Sequence, residues 1–124
     1  MWKFISECLK RSPKSKIQDS HRLLTYEMLF EMSEEHGSNL SKILGNKAKC
    51  AVLCDSGLNT AIGILACWCA GLVAVPLSKN YGQDHCNKII SLTDPDILLT
   101  DNDDCLYRYT YSLKKKLFRG KVTI

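Results

Sequence analysis

The sequence predicts an α/β fold, three layers deep, in which helices flank a mainly parallel sheet. Three observations lead there. Residues 56–78 hold no charged side chain and switch from helical to strand character once, at Gly71. Cys50-Ala51-Val52-Leu53-Cys54, just upstream, is a continuous apolar run, and Ile97-Leu98-Leu99 is another. Strand, helix and strand in that order form the right-handed crossover that builds parallel sheets, and continued alternation from residue 50 onward places helices on the sheet's faces.

A charge-free run of this length also suits a membrane span. Asn59, Thr60, Gly63, Gly71 and Pro76 interrupt it, its second part is β-branched, and a preceding strand has no place in a membrane anchor. A buried core is therefore predicted.

At the N-terminus, Trp2, Phe4, Ile5, Cys8 and Leu9 recur at helical spacing with Lys3, Lys10 and Arg11 between them, which predicts a packed amphipathic helix. A basic amphipathic start also suits a mitochondrial presequence, but Glu7 and the short length oppose that reading. Ser12-Pro13-Lys14 breaks the helix, and extended pieces around Ile17 and Leu23-Leu24 predict a small hairpin across a polar turn.

Thr25 then caps a long helix that Gly45 ends, with Tyr26, Leu29, Phe30, Leu40, Ile43 and Leu44 on its apolar side. Ser33 and Gly37 leave that side shallow enough for close packing. Asp55 and Ser56 offer capping oxygens to the central helix, whose residues 61–70 are apolar around nearly the whole circumference. Gly71 suits a left-handed helix end, and Val73-Ala74-Val75 is a short strand with Pro76 removing a ladder donor at its end. Leu65, Trp68, Val73 and Val75 are expected in the core.

Past a polar link, a helix presents Cys86, Ile89 and Ile90 inward, extended to Leu92, and Asp94-Pro95-Asp96 stops it. Ile97-Leu98-Leu99-Thr100 is the third strand. Solvated acids at 101–104 are expected to head a further helix with the stripe Leu106, Tyr109, Leu113 and Leu117, closed by Gly120, its acidic front and lysine-rich back matching the dipole. Lys121-Val122-Thr123-Ile124 begins another strand, with an unpaired edge at residues 122–124.

A chain of 124 residues is one domain's worth. Residues 1–24 form the N-terminal helix and hairpin, and residues 25–124 the helix–strand alternation. The net charge of +4 arises from 17 basic and 13 acidic residues, with Lys114, Lys115, Lys116, Arg119 and Lys121 supplying much of the excess. No aromatic side chains are interleaved as a stacking platform, so nucleic acid is not an expected partner.

Seven cysteines (Cys8, Cys50, Cys54, Cys67, Cys69, Cys86, Cys105) without a signal peptide predict free thiols and a reducing compartment, the cytoplasm, with the mitochondrion as the alternative. No Cys-x-x-Cys pair exists, Cys67 and Cys69 fall on different helix faces, and His85-Cys86 is a lone adjacent pair. His21 and His36 lack ligand-spaced partners and are expected at the surface or half-buried. The seven glycines stand apart at 37, 45, 57, 63, 71, 82 and 120, so no glycine-rich turn can line backbone N–H groups against phosphates. No nucleophile has a recognisable partner. Catalytic, cofactor-binding and metal-ligating residues are all expected to be none in this chain.

The order of these pieces resembles the N-terminal subdomain of the adenylate-forming (AMP-binding) superfamily, which includes acyl-CoA synthetases, luciferases and peptide-synthetase adenylation domains. Leu24-Thr25-Tyr26-Glu27-Met28-Leu29 is similar to the family's first core motif, and Trp68-Cys69-Ala70-Gly71-Leu72-Val73-Ala74-Val75-Pro76-Leu77 to its second. Residues 81–100 resemble the following helix and strand, ending in Thr100-Asp101. Met28 departs from the usual Glu, losing a capping-box contact worth about 1 kcal/mol or less. Gly37 departs from the usual Ala at a similar cost in helix propensity, about 1 kcal/mol.

The resemblance implies an incomplete domain, a fragment or truncated form of an ATP-dependent acid:thiol ligase that is inactive alone. ATP, Mg²⁺ and coenzyme A are then needs of the parent enzyme, because the family's phosphate loop would follow the strand that begins at Lys121. The Val-Ala-Val-Pro-Leu ending resembles acyl-CoA synthetases, and with them fatty acid metabolism, more than peptide-synthetase domains. The implied partner is the remainder of the enzyme or a homologous full-length subunit. The alternative is a non-catalytic binding module that docks on or regulates such an enzyme.

Overall fold

Burial alternates residue by residue along the central strands, and this fixes the layers. The computed structural model describes residues 1–45, 48–105 and 107–120. In β3 (Lys49–Leu53), Cys50 and Val52 face one core while Ala51 and Leu53 face another; in β5 (Ile97–Thr100), Ile97 and Leu99 take the first side and Leu98 the second. Both strands are buried on two faces, which is why each is a continuous apolar run rather than an alternating one. Complete burial of side chains such as Val52 and Leu99 stabilises the fold by about 1.5–3 kcal/mol each.

The first core lies under α1 (Trp2–Arg11), α2 (Tyr26–Ser41) and α3 (Gly57–Cys69), and the second under α4 (Gln83–Thr93). α3 is the middle of the larger side. Gly63 faces the sheet, where an added Cβ would stand 2.8 Å from Leu99 Cδ2 and 2.9 Å from Val52 Cγ1. From the other side, Gly37 of α2 meets Cys69 of α3. No residue from Leu58 to Ala70 is exposed, so the all-round apolar composition of this helix has its explanation in two packed sides. No helix among the described residues is long and apolar enough to cross a membrane.

The sheet order is β4-β3-β5-β6-β7, with β4 (Val73–Leu77), β6 (Tyr109–Ser112) and β7 (Leu117–Gly120). β3 pairs in parallel with β4 and β5, and β5 in parallel with β6; β7 returns antiparallel to β6. The sheet is thus mixed at one end. β1 (Lys16–Gln18) and β2 (Leu23–Thr25) form the small antiparallel hairpin expected from the sequence, in register Ile17 to Leu24. Thr25 caps α2 by accepting the Met28 N–H at 3.2 Å, and Gly71 takes the expected left-handed conformation at φ 76°.

Several expectations are corrected. The helix expected after residue 101 is the β6–β7 hairpin. Its apolar stripe at four-residue spacing mimicked a helix, but Thr110, Tyr111 and Ser112 are buried strand residues and the lysines make the connecting turn, with Lys116 at φ 55°. Leu106 and the strand expected at 121–124, with its open edge, lie outside the described residues. α2 ends at Ser41, and Ile43 beyond it is exposed. Leu92 is 77% exposed on the outer face of α4. Val73 is 49% exposed because β4 is the sheet's edge strand, and Leu65, Trp68 and Val75 are half-buried rather than fully buried. His36 is buried, not superficial, and so is Asp101.

Candidate functional site

From β3 the chain crosses through α3 to β4, then through α4 to β5 on the opposite side of β3. The connections therefore diverge between β3 and β5. In open α/β sheets this divergence leaves a crevice outside the carboxyl ends of the strands, the usual place for a ligand. Here the crevice is bounded by Cys54-Asp55-Ser56 after β3 and Asp101-Asn102 after β5.

Asp101 closes it. One carboxylate oxygen accepts the Asp55 N–H at 2.8 Å; the other accepts the Ser56 N–H at 3.2 Å and the Asn59 side-chain amide at 2.8 Å. Burial pushes this carboxyl up, but the donors from Asn59, Asp55 and Ser56 outweigh it and hold the group below the usual carboxylate range. Arg22 donates to Asn59 Oδ1, which leaves the Asn59 amide hydrogens pointing at Asp101.

Asp19, from the β1–β2 turn, is the second carboxylate at the same helix end. It accepts the His21 and Arg22 N–H groups at 2.8 and 2.9 Å, the Ser56 hydroxyl at 2.7 Å and the Leu58 N–H at 3.2 Å. The His21 N–H, followed by the Ser56 hydroxyl and the Leu58 N–H, holds its carboxyl far below the usual range. Ser56 Oγ in turn caps α3 by accepting the Asn59 N–H at 3.3 Å. The Leu58 and Asn59 N–H groups at the start of α3 are thus taken by the chain's own side chains, and two anions already sit at the positive end of its dipole. A nucleotide phosphate would meet repulsion there.

Beside this network, on the α4 face, is a cleft of about 410 Å³. Leu53, Ile90 and Leu98 form its apolar floor; Lys79, Gln83 and Asn87 are among its polar residues. Lys79 stands 3.6 Å from Asp55 in an exposed pair, of a kind worth about 0–1 kcal/mol. The Cys86 thiol, also in the cleft, is committed to the Ser78 carbonyl at 3.3 Å. The arrangement can hold a small molecule with an apolar body and hydrogen-bonding edges. Among the described residues it presents no paired nucleophile and base.

All seven cysteines are free thiols, and no cluster of three or more His, Cys, Asp or Glu that could hold a metal occurs among the described residues. The bonds that tie Asp19 and Asp101 to Asp55, Ser56 and Asn59 carried no sequence signal, because they span 37 to 46 residues. The capping role of Ser56 was visible as a polar residue before an apolar helix.

The family described as AMP-binding enzyme matches residues 6–122. Among solved structures, the chain is similar to the N-terminal subdomain of Klebsiella oxytoca NpsA, with a TM-score of 0.78 at 21% identity over 93% of this chain and 32% of that one. It is similar to an artificially fused adenylation–PCP di-domain peptide synthetase from the same organism, NpsA-ThdA, with TM-score 0.76 and 21% identity over 92% of this chain and 23% of that one. It also resembles the fatty acid AMP ligase of Legionella pneumophila, with TM-score 0.74 and 18% identity over 91% of this chain and 24% of that one. The chain spans about a third or less of the length of these structures. No curated protein matches it.

Proposed function

Because the chain belongs to the AMP-binding enzyme family, we propose that it forms the N-terminal part of an ATP-dependent acid:thiol ligase and is not catalytic by itself. Such an enzyme activates a carboxylate as an acyl-adenylate, expelling pyrophosphate, and passes the acyl group to a thiol. The observation that carries the reading is the family match across residues 6–122, joined to a switch-point crevice closed by the chain's own Asp101 and Asp19. The residues present do not fit ATP or Mg²⁺: the helix end that would receive a phosphate faces two carboxylates, and the described residues offer no metal cluster. No step of the reaction is assigned to this chain. Its contribution is a packed sheet against which the nucleotide-binding parts are built. The Val-Ala-Val-Pro-Leu sequence of β4 favours coenzyme A as the acceptor.

The test is carboxylate-dependent exchange of labelled pyrophosphate into ATP by the native protein, recovered with an antibody to residues 80–91. Exchange by a species several times heavier than 14.0 kDa supports the proposal. A native species of 14.0 kDa that lacks exchange removes the fragment reading. It would favour a second one, a module that docks on a full-length adenylate-forming enzyme, for which the exposed Val73 of edge strand β4 is the supporting observation.

A further inference from the structure

The β6–β7 hairpin is held against α2 by one buried polar contact. Tyr111 Oη lies 2.8 Å from His36 Nδ1, with Tyr111 fully buried and His36 3% exposed. The Asn39 side-chain amide donates to the same hydroxyl at 3.1 Å. A tyrosine hydroxyl has one proton. Its oxygen accepts from Asn39, and the proton is free to go to His36 when Nδ1 is bare and the imidazole hydrogen sits on Nε2, the arrangement in which both the hydroxyl and the ring nitrogen are paired. The phenol ring is fixed as well, by Phe118 of β7 at 5.0 Å and by the edge of the His36 ring at 5.7 Å.

We propose that His36 and Tyr111 form an acid-released latch, closed while the imidazole is neutral and opened by its protonation, which frees the β6–β7 hairpin from α2. A proton on Nδ1 would claim a lone pair of the Tyr111 oxygen and turn the hydroxyl hydrogen away, and that hydrogen would lose its acceptor in a site closed to water. Burial lowers the imidazole's affinity for a proton below the ordinary value; Glu35 raises it and Lys116 lowers it again. Those two charges are paired with each other at 2.8 Å, across α2 and the hairpin turn, and so largely cancel. From β6 the facing titratable group is Tyr111, whose own proton affinity is raised by burial. α3, which also packs on α2, carries no acidic or basic residue. Because protonation is disfavoured in the fold, the latch contributes its stability above about pH 6.5 and loses it as pH falls below that value. When it opens, Tyr109 and Phe118 leave the groove of about 230 Å³ that they share with Ile43, Leu44 and Ile97.

The experiment is amide hydrogen exchange of the chain at about pH 7.5 and about pH 5.5, corrected for intrinsic rates, comparing β6–β7 with β3. Protection of the Tyr111, Ser112 and Phe118 amides is expected to fall about tenfold more than that of Val52, since one pH unit of linkage is a tenfold change. In Tyr111→Phe the extra pH dependence is expected to vanish. Equal loss in both segments overturns the latch. Imidazole nitrogen NMR of the unmodified chain gives a readout free of any folding defect in the variant. The Nε2–H tautomer with a midpoint below the ordinary histidine value is expected, and an Nδ1–H tautomer or an ordinary midpoint overturns the proposal.

Discussion

The Asp101 carboxylate accepts the Asp55 N–H at 2.8 Å, so the residues that follow β5 and β3 are tied together across the mouth of the crevice. Its other oxygen holds the Ser56 N–H and Asn59. A single side chain thus joins two strand ends to the first turn of α3.

Asp101→Asn replaces one acceptor oxygen with a donor and leaves at least one of these N–H groups unpaired. The loss is expected at about 1–3 kcal/mol, read as a lower urea midpoint with unchanged slope. Because the folded carboxyl is held below its ordinary range, its contribution is present above about pH 3.9 and disappears as pH falls through the folded value. Acid unfolding of the variant should accordingly be shallower, and an identical acid profile would show that the network adds nothing.

Ser56→Ala removes both the cap of α3 and the hydroxyl that Asp19 accepts. A cost of about 1–2 kcal/mol is expected, the upper part of the range for a lost N-cap. Thermal unfolding would register it, and a change within a few tenths would mean that water replaces the hydroxyl without penalty.

A Cβ at residue 37 would lie 2.7 Å from Cys69 Cβ and 3.0 Å from the Ala66 carbonyl oxygen. Gly37→Ala therefore sets a helix-propensity gain of about 1 kcal/mol against overpacking of about 1–3 kcal/mol, and net destabilisation is expected. Adding Cys69→Gly should restore part of the loss, with a coupling of about 0.5–3 kcal/mol in a double-mutant cycle. Simple additivity would show that the two helices separate freely.

Thiol chemistry should sort by burial. Cys8 is exposed, whereas Cys50, Cys54, Cys67 and Cys86 are buried. Burial and then the Asp101 charge push the Cys54 thiol up, away from its reactive form. Under native conditions an alkylating reagent is expected to label Cys8 first and to leave Cys54 unmodified until the chain unfolds; early labelling of Cys54 would contradict the core described above.

The sequence made the strand–helix–strand unit around residues 50–77 legible because its elements are buried on two faces, where apolar character cannot be mistaken for surface. The resemblance carried by Thr25 to Leu29 and by Trp68 to Leu77 was legible for a related reason: each marks an element boundary, a cap or a left-handed turn, that local chemistry fixes. The hairpin at Tyr109 to Gly120 carries a helical pattern in sequence because Tyr109, Leu113 and Leu117 repeat every four residues. The buried, partly β-branched run Thr110-Tyr111-Ser112 was the competing signal. Asp101 and His36 were invisible for another reason. Their partners, Asp55 and Tyr111, lie 46 and 75 residues away, and only the folded sheet brings a lone acid or histidine to a donor or acceptor.

The central claim is that this chain is a folded part of an adenylate-forming enzyme without a nucleotide site of its own, and calorimetric titration of the purified chain with Mg·ATP tests it most directly. No saturable heat is expected up to millimolar nucleotide, because Asp19 and Asp101 occupy the start of α3, the helix end that follows β3 at the crevice. Saturable binding at micromolar concentration would contradict it.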